Sequence, residues 1–253
     1  MKPATTIRLA LAAATLMLAT GCATVPPGPA PLAANPVDPW ENWNRKVFAF
    51  NEAIDQAVLE PVARTYRDVV PQMVRTGVSN FFGNIGDVWS TANHFLQGKV
   101  GSGFEMGMRV LTNTLFGLGG VLDPATEMRL PRRSEDFGQT LGVWGLPAGP
   151  YVVLPLLGPS SVRDTAGMPL DRYAGATSLY VDVNTYATSV LQLVNVRAEL
   201  LATTRLVSDV SLDKYSFVRD GYLARRQDQV YDGAPPLEKM DDDFDDPPPK
   251  KGN

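Results

Sequence analysis

The longest periodic segment of this chain constrains its fold most strongly. Residues 74–96 place apolar side chains at the i, i+3, i+4, i+7 spacing of one helix face, from Val74 to Leu96. Alternation with a period of two, which is typical of half-buried strands, is nearly absent. The sequence therefore predicts an all-α fold. Further stripes with helical spacing are Val47, Phe50, Ile54 and Val58; Phe104, Met108, Leu111, Leu115 and Leu118; Val183, Tyr186, Val190, Leu193 and Leu201; and Tyr215, Val218 and Tyr222.

The opposite face of this long helix is polar but poor in charge. Residues 76–126 hold five charged side chains among 51, whereas 20% of the whole chain is charged. A face exposed to water normally carries Lys, Glu and Arg. The polar face therefore suits burial against another helix, the wall of a polar passage inside a membrane-embedded body, or the core of a soluble domain. The side chains that we predict for a polar wall are Asn80, Asn84, Asp87 and Asn93.

A second segment, residues 137–162, contains no charged side chain at all. It is long enough to cross a bilayer, but four prolines interrupt it, and each costs about 3 kcal/mol inside a helix. We predict a Pro/Gly-rich re-entrant hairpin that packs on the helices and dips toward lipid without spanning the membrane. The alternative is a buried loop of a soluble domain. The glycines predicted as hinges of this hairpin are Gly138, Gly142, Gly145 and Gly149.

The amino terminus resembles a bacterial lipoprotein signal. Lys2 and Arg8 precede an apolar run at residues 9–21, which is too short for a transmembrane helix. Small residues then lead to Cys22, the only cysteine, as in a lipobox whose thiol receives lipid. Since Ala23 follows instead of Asp, we predict retention in the outer membrane. An ordinary secretory signal with a chance cysteine is the alternative.

These features divide the chain into four parts. We predict a signal peptide at residues 1–21, a lipidated cysteine with a Pro-rich tether at 22–37, a helical domain at 38–233, and a disordered acidic tail at 234–253.

Composition excludes several function classes. One cysteine and one histidine cannot form a disulfide framework or a Cys/His zinc site, so no metal is predicted. The sequence contains no P-loop either, and no cofactor is predicted. A net charge of −4 without a basic stripe argues against nucleic-acid binding. Asp87, Ser90 and His94 share one helix, from which side chains project outward and rarely converge as a triad. We predict that the protein is not an enzyme.

Ordered motifs across residues 38–233 resemble the MlaA (VacJ) family of outer-membrane lipoproteins. The motifs are Asp38-Pro39-Trp40-Glu41-Asn42-Trp43-Asn44-Arg45 continuing to Asn51; Ser79-Asn80-Phe81-Phe82-Gly83-Asn84-Ile85 with Leu96-Gln97-Gly98-Lys99; Asn113-Thr114 with Gly117-Leu118-Gly119-Gly120; Glu135 to Gly142; Gly149-Pro150-Tyr151 through Leu154-Pro155 to Arg163-Asp164; and Tyr215-Ser216-Phe217-Val218-Arg219-Asp220 with Arg225-Arg226.

The resemblance implies a ring or disc of helices lying in the periplasmic leaflet of the outer membrane. A polar channel would let mislocalised phospholipids leave the outer leaflet and pass to the periplasmic carrier MlaC, and through it to an inner-membrane ABC-type complex. It also implies a trimeric porin as neighbour and the maintenance of lipid asymmetry as function.

Other interpretations stay open at this point. A non-transporting lipoprotein that scaffolds porins or envelope machinery would bind partners without moving lipid. A soluble ligand-binding lipoprotein would need alternating βα units, which the sequence lacks. Trp40, Trp43 and Trp89 are candidates for anchoring at the membrane interface or for core packing.

Overall fold

The computed structural model describes residues 35–177 and 185–236. The predicted signal peptide, Cys22, most of the tether, Val183 and the acidic tail from residue 237 lie outside the described residues. Within the described ranges the chain is mostly helical, which confirms the predicted fold class. The ring or disc shape stays a prediction.

The helices follow one another with short connections. α1 (Glu41–Ile54) continues through a π-helical turn, Asp55–Leu59, into α2 (Glu60–Val69). The remaining helices are α3 (Gln72–Leu96), α4 (Val100–Phe116), α5 (Pro124–Glu127), α6 (Phe137–Val143), α7 (Val162–Thr177), α8 (Thr185–Val210) and α9 (Lys214–Val230). Among the residues described, no helix combines the length and the hydropathy that crossing a membrane requires.

α3 and α4 form a helical hairpin because Gly98 ends the first helix. Gly98 adopts a left-handed backbone with φ of 74°, which glycine tolerates best. Its N–H donates to the carbonyl of Phe95, and the N–H of Lys99 donates to that of His94. The chain then reverses, and α4 packs along α3.

The faces that these two helices bury are the polar ones. On α3 the buried side chains include Asn84, Asp87 and Ser90, whereas Val88 and Phe95 are exposed. The predicted apolar stripe of α4, Phe104 to Leu118, is exposed along its whole length, and α4 buries Gly103, Met106, Arg109, Thr112 and Asn113. In water each exposed side chain of this kind forgoes about 1.5–3 kcal/mol of burial energy. This surface therefore suits an apolar environment.

The uncharged segment 137–162 is not one helix, as its prolines predicted. α6 is followed by a loop and by a β-hairpin of β1 (Tyr151–Leu154) and β2 (Gly158–Ser161), with Tyr151 opposite Ser161. These strands were not predicted, because strands of four residues are too short to show a measurable alternation. The position of this segment relative to lipid stays a prediction.

Two asparagines of α1 hold the outer edge of β1. The side-chain amide of Asn44 donates to the carbonyl of Tyr151 at 3.1 Å and accepts from the N–H of Val153 at 2.9 Å. Seven residues later, Asn51 donates to the carbonyl of Leu154 at 2.9 Å and accepts from the N–H of Leu156 at 2.8 Å. These bonds satisfy edge groups that a second strand would otherwise pair.

A partly buried cluster of charges joins α9 to α6 and α7. The guanidinium of Arg226 donates to Asp136 at 2.6 Å and to Asp164 at 2.9 Å, and the Tyr222 hydroxyl donates to Asp164 at 2.7 Å. Burial raises the pKa of Asp164, but hydrogen bonds from Arg226 and Tyr222 and the charge of Arg163 outweigh it and lower that pKa to about 2. The Arg226 cluster therefore depends on ionised carboxylates.

We expect the Arg226 cluster to lose stability in acid. An unfolded aspartate titrates near pH 4, so Asp164 contributes about 2 kcal/mol above that pH, and this contribution is lost as pH falls toward 2. The difference in unfolding midpoint between the wild type and Asp164→Asn should therefore shrink from pH 5 to pH 2. Asp68→Asn, at an exposed position, is the control and should give only a small difference. A difference for Asp164→Asn that stays constant across this range would contradict the expectation.

Candidate functional site

The polar faces of α3 and α4 meet in a partly buried network of charges. Asp87, only 2% exposed, accepts from Nε of Arg132 at 2.7 Å, and its other oxygen lies 3.5 Å from Nε of Arg109. Arg109, 4% exposed, also donates to Asp123 and to the carbonyl of Leu130. Two acids and two arginines thus compensate one another between the helices.

The two carboxylates of this network differ in their environment. Burial raises the pKa of Asp87 and outweighs the opposing effect of Arg132 and Arg109. At Asp123 burial also raises the pKa, but hydrogen bonds from Thr126, Asn113 and Arg109 outweigh it, and the pKa is lowered. The network is therefore most sensitive at Asp87, where loss of one arginine would leave a buried charge with a single partner.

Three of the four predicted wall residues come together here. Asn80, Asn84 and Asp87 line one polar cavity of about 50 Å³, together with Gly83, Arg109, Asn113, Asp123 and Arg132. The fourth, Asn93, lies elsewhere: it accepts from the Thr140 hydroxyl at 2.7 Å and packs α3 against α6. A role for these residues in lining a channel stays a prediction.

The arginines of the network were not predicted from the sequence. Arg109 is one of five charges in the charge-poor segment, and a charge in such a segment is the signal that could have singled it out. Arg132 lies 45 residues beyond Asp87, and no spacing rule pairs residues that far apart. Arg132 reaches α3 because Gly83 leaves space there: an added Cβ would lie 2.7 Å from the guanidinium of Arg132.

The four predicted hinge glycines occupy two kinds of position. Gly138 and Gly142 lie within α6, where an added Cβ would lie 2.7 Å from Asp164 and from Arg163 respectively. Close packing therefore gives both positions a reason for glycine. Gly145 and Gly149 lie in the loop after α6 with φ of 95° and 68°, and Gly145 has no atom within 4 Å of its ideal Cβ. Flexing of the loop stays a prediction, and these two are its better candidates.

The three predicted tryptophan anchors differ in their exposure. Trp40 and Trp43 are exposed at the start of α1, Trp43 by 61%. Trp89 is partly buried, and its indole N–H donates to Asp171 at 2.7 Å, which favours packing for this residue. Trp144, which we did not single out, is exposed and donates to the carbonyl of Leu96 at 3.0 Å.

The three residues considered for a triad bind different groups. Asp87 pairs with Arg132, the Ser90 hydroxyl donates to the carbonyl of Glu135, and the His94 ring contacts the carbonyl of Arg133. Within the part of the chain that the structure describes, no group of three His, Cys, Asp or Glu side chains could hold a metal ion.

Comparison with known proteins gives consistent matches. The family model "MlaA lipoprotein" matches residues 36–229. The intermembrane phospholipid transport system lipoprotein MlaA of Escherichia coli K12 is 35% identical over 204 residues, which are 78% of this chain and 79% of that protein. Its namesake from Haemophilus influenzae is 31% identical over 208 residues, 78% of this chain and 80% of the relative.

A solved structure matches as well. It is described as "Structural basis for maintenance of bacterial outer membrane lipid asymmetry". The match has a TM-score of 0.68 and 36% identity, and it covers 76% of this chain and 98% of the other.

Two neighbouring glycines, Gly119 and Gly120, test whether close packing against Asn84 stabilises the fold around the charge network. Gly119 and Gly120 both have left-handed backbones, with φ of 72° and 94°, so alanine at either costs about 1–2 kcal/mol of backbone strain. Only at Gly120 would the new Cβ collide with a side chain, that of Asn84 at 2.7 Å. We expect Gly120→Ala to lower the thermal unfolding midpoint by several degrees more than Gly119→Ala, as measured by circular dichroism. Equal shifts would show that the close approach to Asn84 contributes nothing.

Proposed function

Because the chain belongs to the MlaA lipoprotein family, we propose that it acts in intermembrane phospholipid transport. It removes mislocalised phospholipids from the outer leaflet of the outer membrane through a polar channel and passes them to a periplasmic carrier, which maintains the lipid asymmetry of that membrane. The strongest support within the molecule is the distribution of its side chains. Of the described residues, ten apolar and eighteen polar side chains are buried, while large apolar side chains are exposed along α1 to α4.

Buried polar side chains and exposed apolar ones are what a channel for lipid requires. Moving a charged or zwitterionic head group through hydrocarbon costs many kcal/mol unless polar groups replace its water. Exposed side chains such as Phe104, Leu111 and Leu115 offer an apolar rim to acyl chains. Asn80 and Asn84 offer amides to the head group, and the charges of Asp87 and Asp123 compensate those of Arg109 and Arg132. A wall without net charge releases what it binds, as transport demands.

The protein is held in the periplasmic leaflet of the outer membrane by lipid on Cys22. Each buried CH₂ of an acyl chain contributes about 0.8 kcal/mol, so several chains give lasting attachment. Exposed Trp40 and Trp43 lie at the start of the helical domain, where the tether ends, and suit the boundary between head groups and acyl chains. The protein is not an enzyme: it moves lipid without chemical change.

The partners follow from the proposed route. Phospholipids enter through the channel beside a trimeric porin and leave on the carrier MlaC, which delivers them to an inner-membrane ABC-type complex. The neighbouring porin would cover part of the exposed apolar surface of the helices.

Deletion of the gene tests transport against scaffolding. Without the protein, phospholipids should accumulate in the outer leaflet, because nothing removes them there. Surface-exposed phospholipid can be measured by labelling intact cells with an amine-reactive reagent that does not enter the cell. A non-transporting scaffold predicts unchanged surface phospholipid but altered porin assembly. Wild-type protein expressed from a plasmid is the control and should restore the low level.

The same strain tests the loop glycines. Gly145→Ala strains the backbone at a φ of 95° without a steric clash, so it should stiffen the loop and leave the fold intact. If the loop must flex, this variant restores less than wild-type removal of surface phospholipid at equal protein level. Full restoration would argue against the hinge.

Embedding in the membrane can be tested apart from the lipid anchor. Cys22→Ala removes the acylation site but leaves the exposed apolar surface, so the purified variant should still need detergent to stay monomeric. In liposomes made with brominated phospholipid, fluorescence of Trp40 and Trp43 should be quenched more than that of Trp89, compared through single-tryptophan variants. A monomeric variant that is stable without detergent would contradict embedding.

A further inference from the structure

The cavity between α3 and α4 contains hydrogen-bonding capacity that the protein does not use. Asn84, 7% exposed, donates its side-chain N–H to the Thr114 hydroxyl at 3.0 Å, but its carbonyl oxygen Oδ1 accepts from no group among the described residues. Nε of Arg109 likewise donates to none, although it lies 3.5 Å from Asp87. Both side chains line the same cavity. An unused buried donor or acceptor costs about 1–3 kcal/mol, so a ligand that bonds to both would be stabilising.

We infer that this cavity is a binding site for water, which accepts from Arg109 Nε and donates to Asn84 Oδ1. Its volume of about 50 Å³ exceeds the roughly 10–15 Å³ that one buried water requires and suits one or two molecules. Further polar partners surround it, since Asn80, Asn113 and Asp123 also line the cavity. A buried water needs two to four such partners.

The lining of the cavity favours water over an ion. An anion would meet the carboxylates of Asp87 and Asp123 and the lone pairs of Asn84 Oδ1. A cation would meet the guanidinium groups of Arg109 and Arg132. Each ion is thus opposed by at least two buried or half-buried charges, whereas water both donates and accepts and carries no charge.

A bound water would join α3 and α4 by a bridge that can exchange, which direct contacts between side chains cannot do. It links Arg109 on α4 to Asn84 on α3 through a molecule that can be exchanged without breaking the ion pairs of Asp87. The polar face buried between the helices is then hydrated from within. This inference does not depend on lipid transport and would stand if the proposed function were wrong.

A crystal structure of the full protein in detergent tests the site directly. We expect density for an ordered water within about 3.2 Å of both Asn84 Oδ1 and Arg109 Nε, at a resolution that shows buried waters elsewhere in the protein. Crystals soaked in bromide and, separately, in rubidium should give no anomalous peak in the cavity. A bromide or rubidium peak would show that the cavity binds an ion instead of water. Either that result or an empty cavity would overturn the proposal.

Two substitutions at Asn84 provide the matched comparison. Asn84→Asp keeps an acceptor at the same position, so the water should remain. Asn84→Leu removes the acceptor, so the water should be lost. The thermal unfolding midpoint should fall by roughly 5 °C, because the hydrogen bond from Asn84 to Thr114 and the water bound to Arg109 Nε are both lost. Gly86→Ala, on the same helix with no atom within 4 Å of the added Cβ, is the control and should not lower the midpoint. Water that persists unchanged in Asn84→Leu would show that Asn84 does not bind it.

Discussion

The structure depends on one constraint: the charges that α3 and α4 bury against each other must be compensated. A buried carboxylate without partners costs several kcal/mol, so Asp87 is tolerable only between Arg132 and Arg109. Once these groups occupy the inner faces, the apolar stripes of both helices can only face outward. The exposed Phe and Leu side chains of α4 are therefore a consequence of the polar interior. In an apolar environment, both the buried polar interior and the outward-facing apolar side chains are favourable.

Hydrogen bonds join the two ends of the described chain to each other and to α1. Asp38, directly after the tether, accepts from the hydroxyl of Tyr215 on α9, and Asn44 donates to it at 2.8 Å. Through Asn44 and Asn51, α1 also holds the β-hairpin. The helix nearest the predicted lipid anchor, the hairpin and the last helix are thus joined by hydrogen bonds. A displacement of α1 would therefore be transmitted to the β-hairpin through these bonds.

Much of the local structure could be predicted from the sequence. Residues 74–96 lie in one helix. Its charge-poor polar face is buried, as expected if this face packs against another helix. The prolines of residues 137–162 do exclude a continuous helix there. The β-hairpin could not be predicted, because its strands pair through backbone groups and its outer edge bonds to asparagines about a hundred residues earlier. At the site, the asparagines were found through their helical spacing, but the arginines that complete it were not.

The sequence by itself determined that long helices form, which of their faces are apolar, and that few charges lie on α3 and α4. These are local properties, set by the helical period, by glycine and proline, and by neighbours three or four residues away. Only the tertiary structure decided which face turns inward, because a charge-poor polar face and an apolar face can each be buried. That choice is made by Arg132 and Asp123, which meet Asp87 and Arg109 from other parts of the chain. Ion pairs between distant residues leave no periodic trace in the sequence, so their partners are known only once the chain has folded.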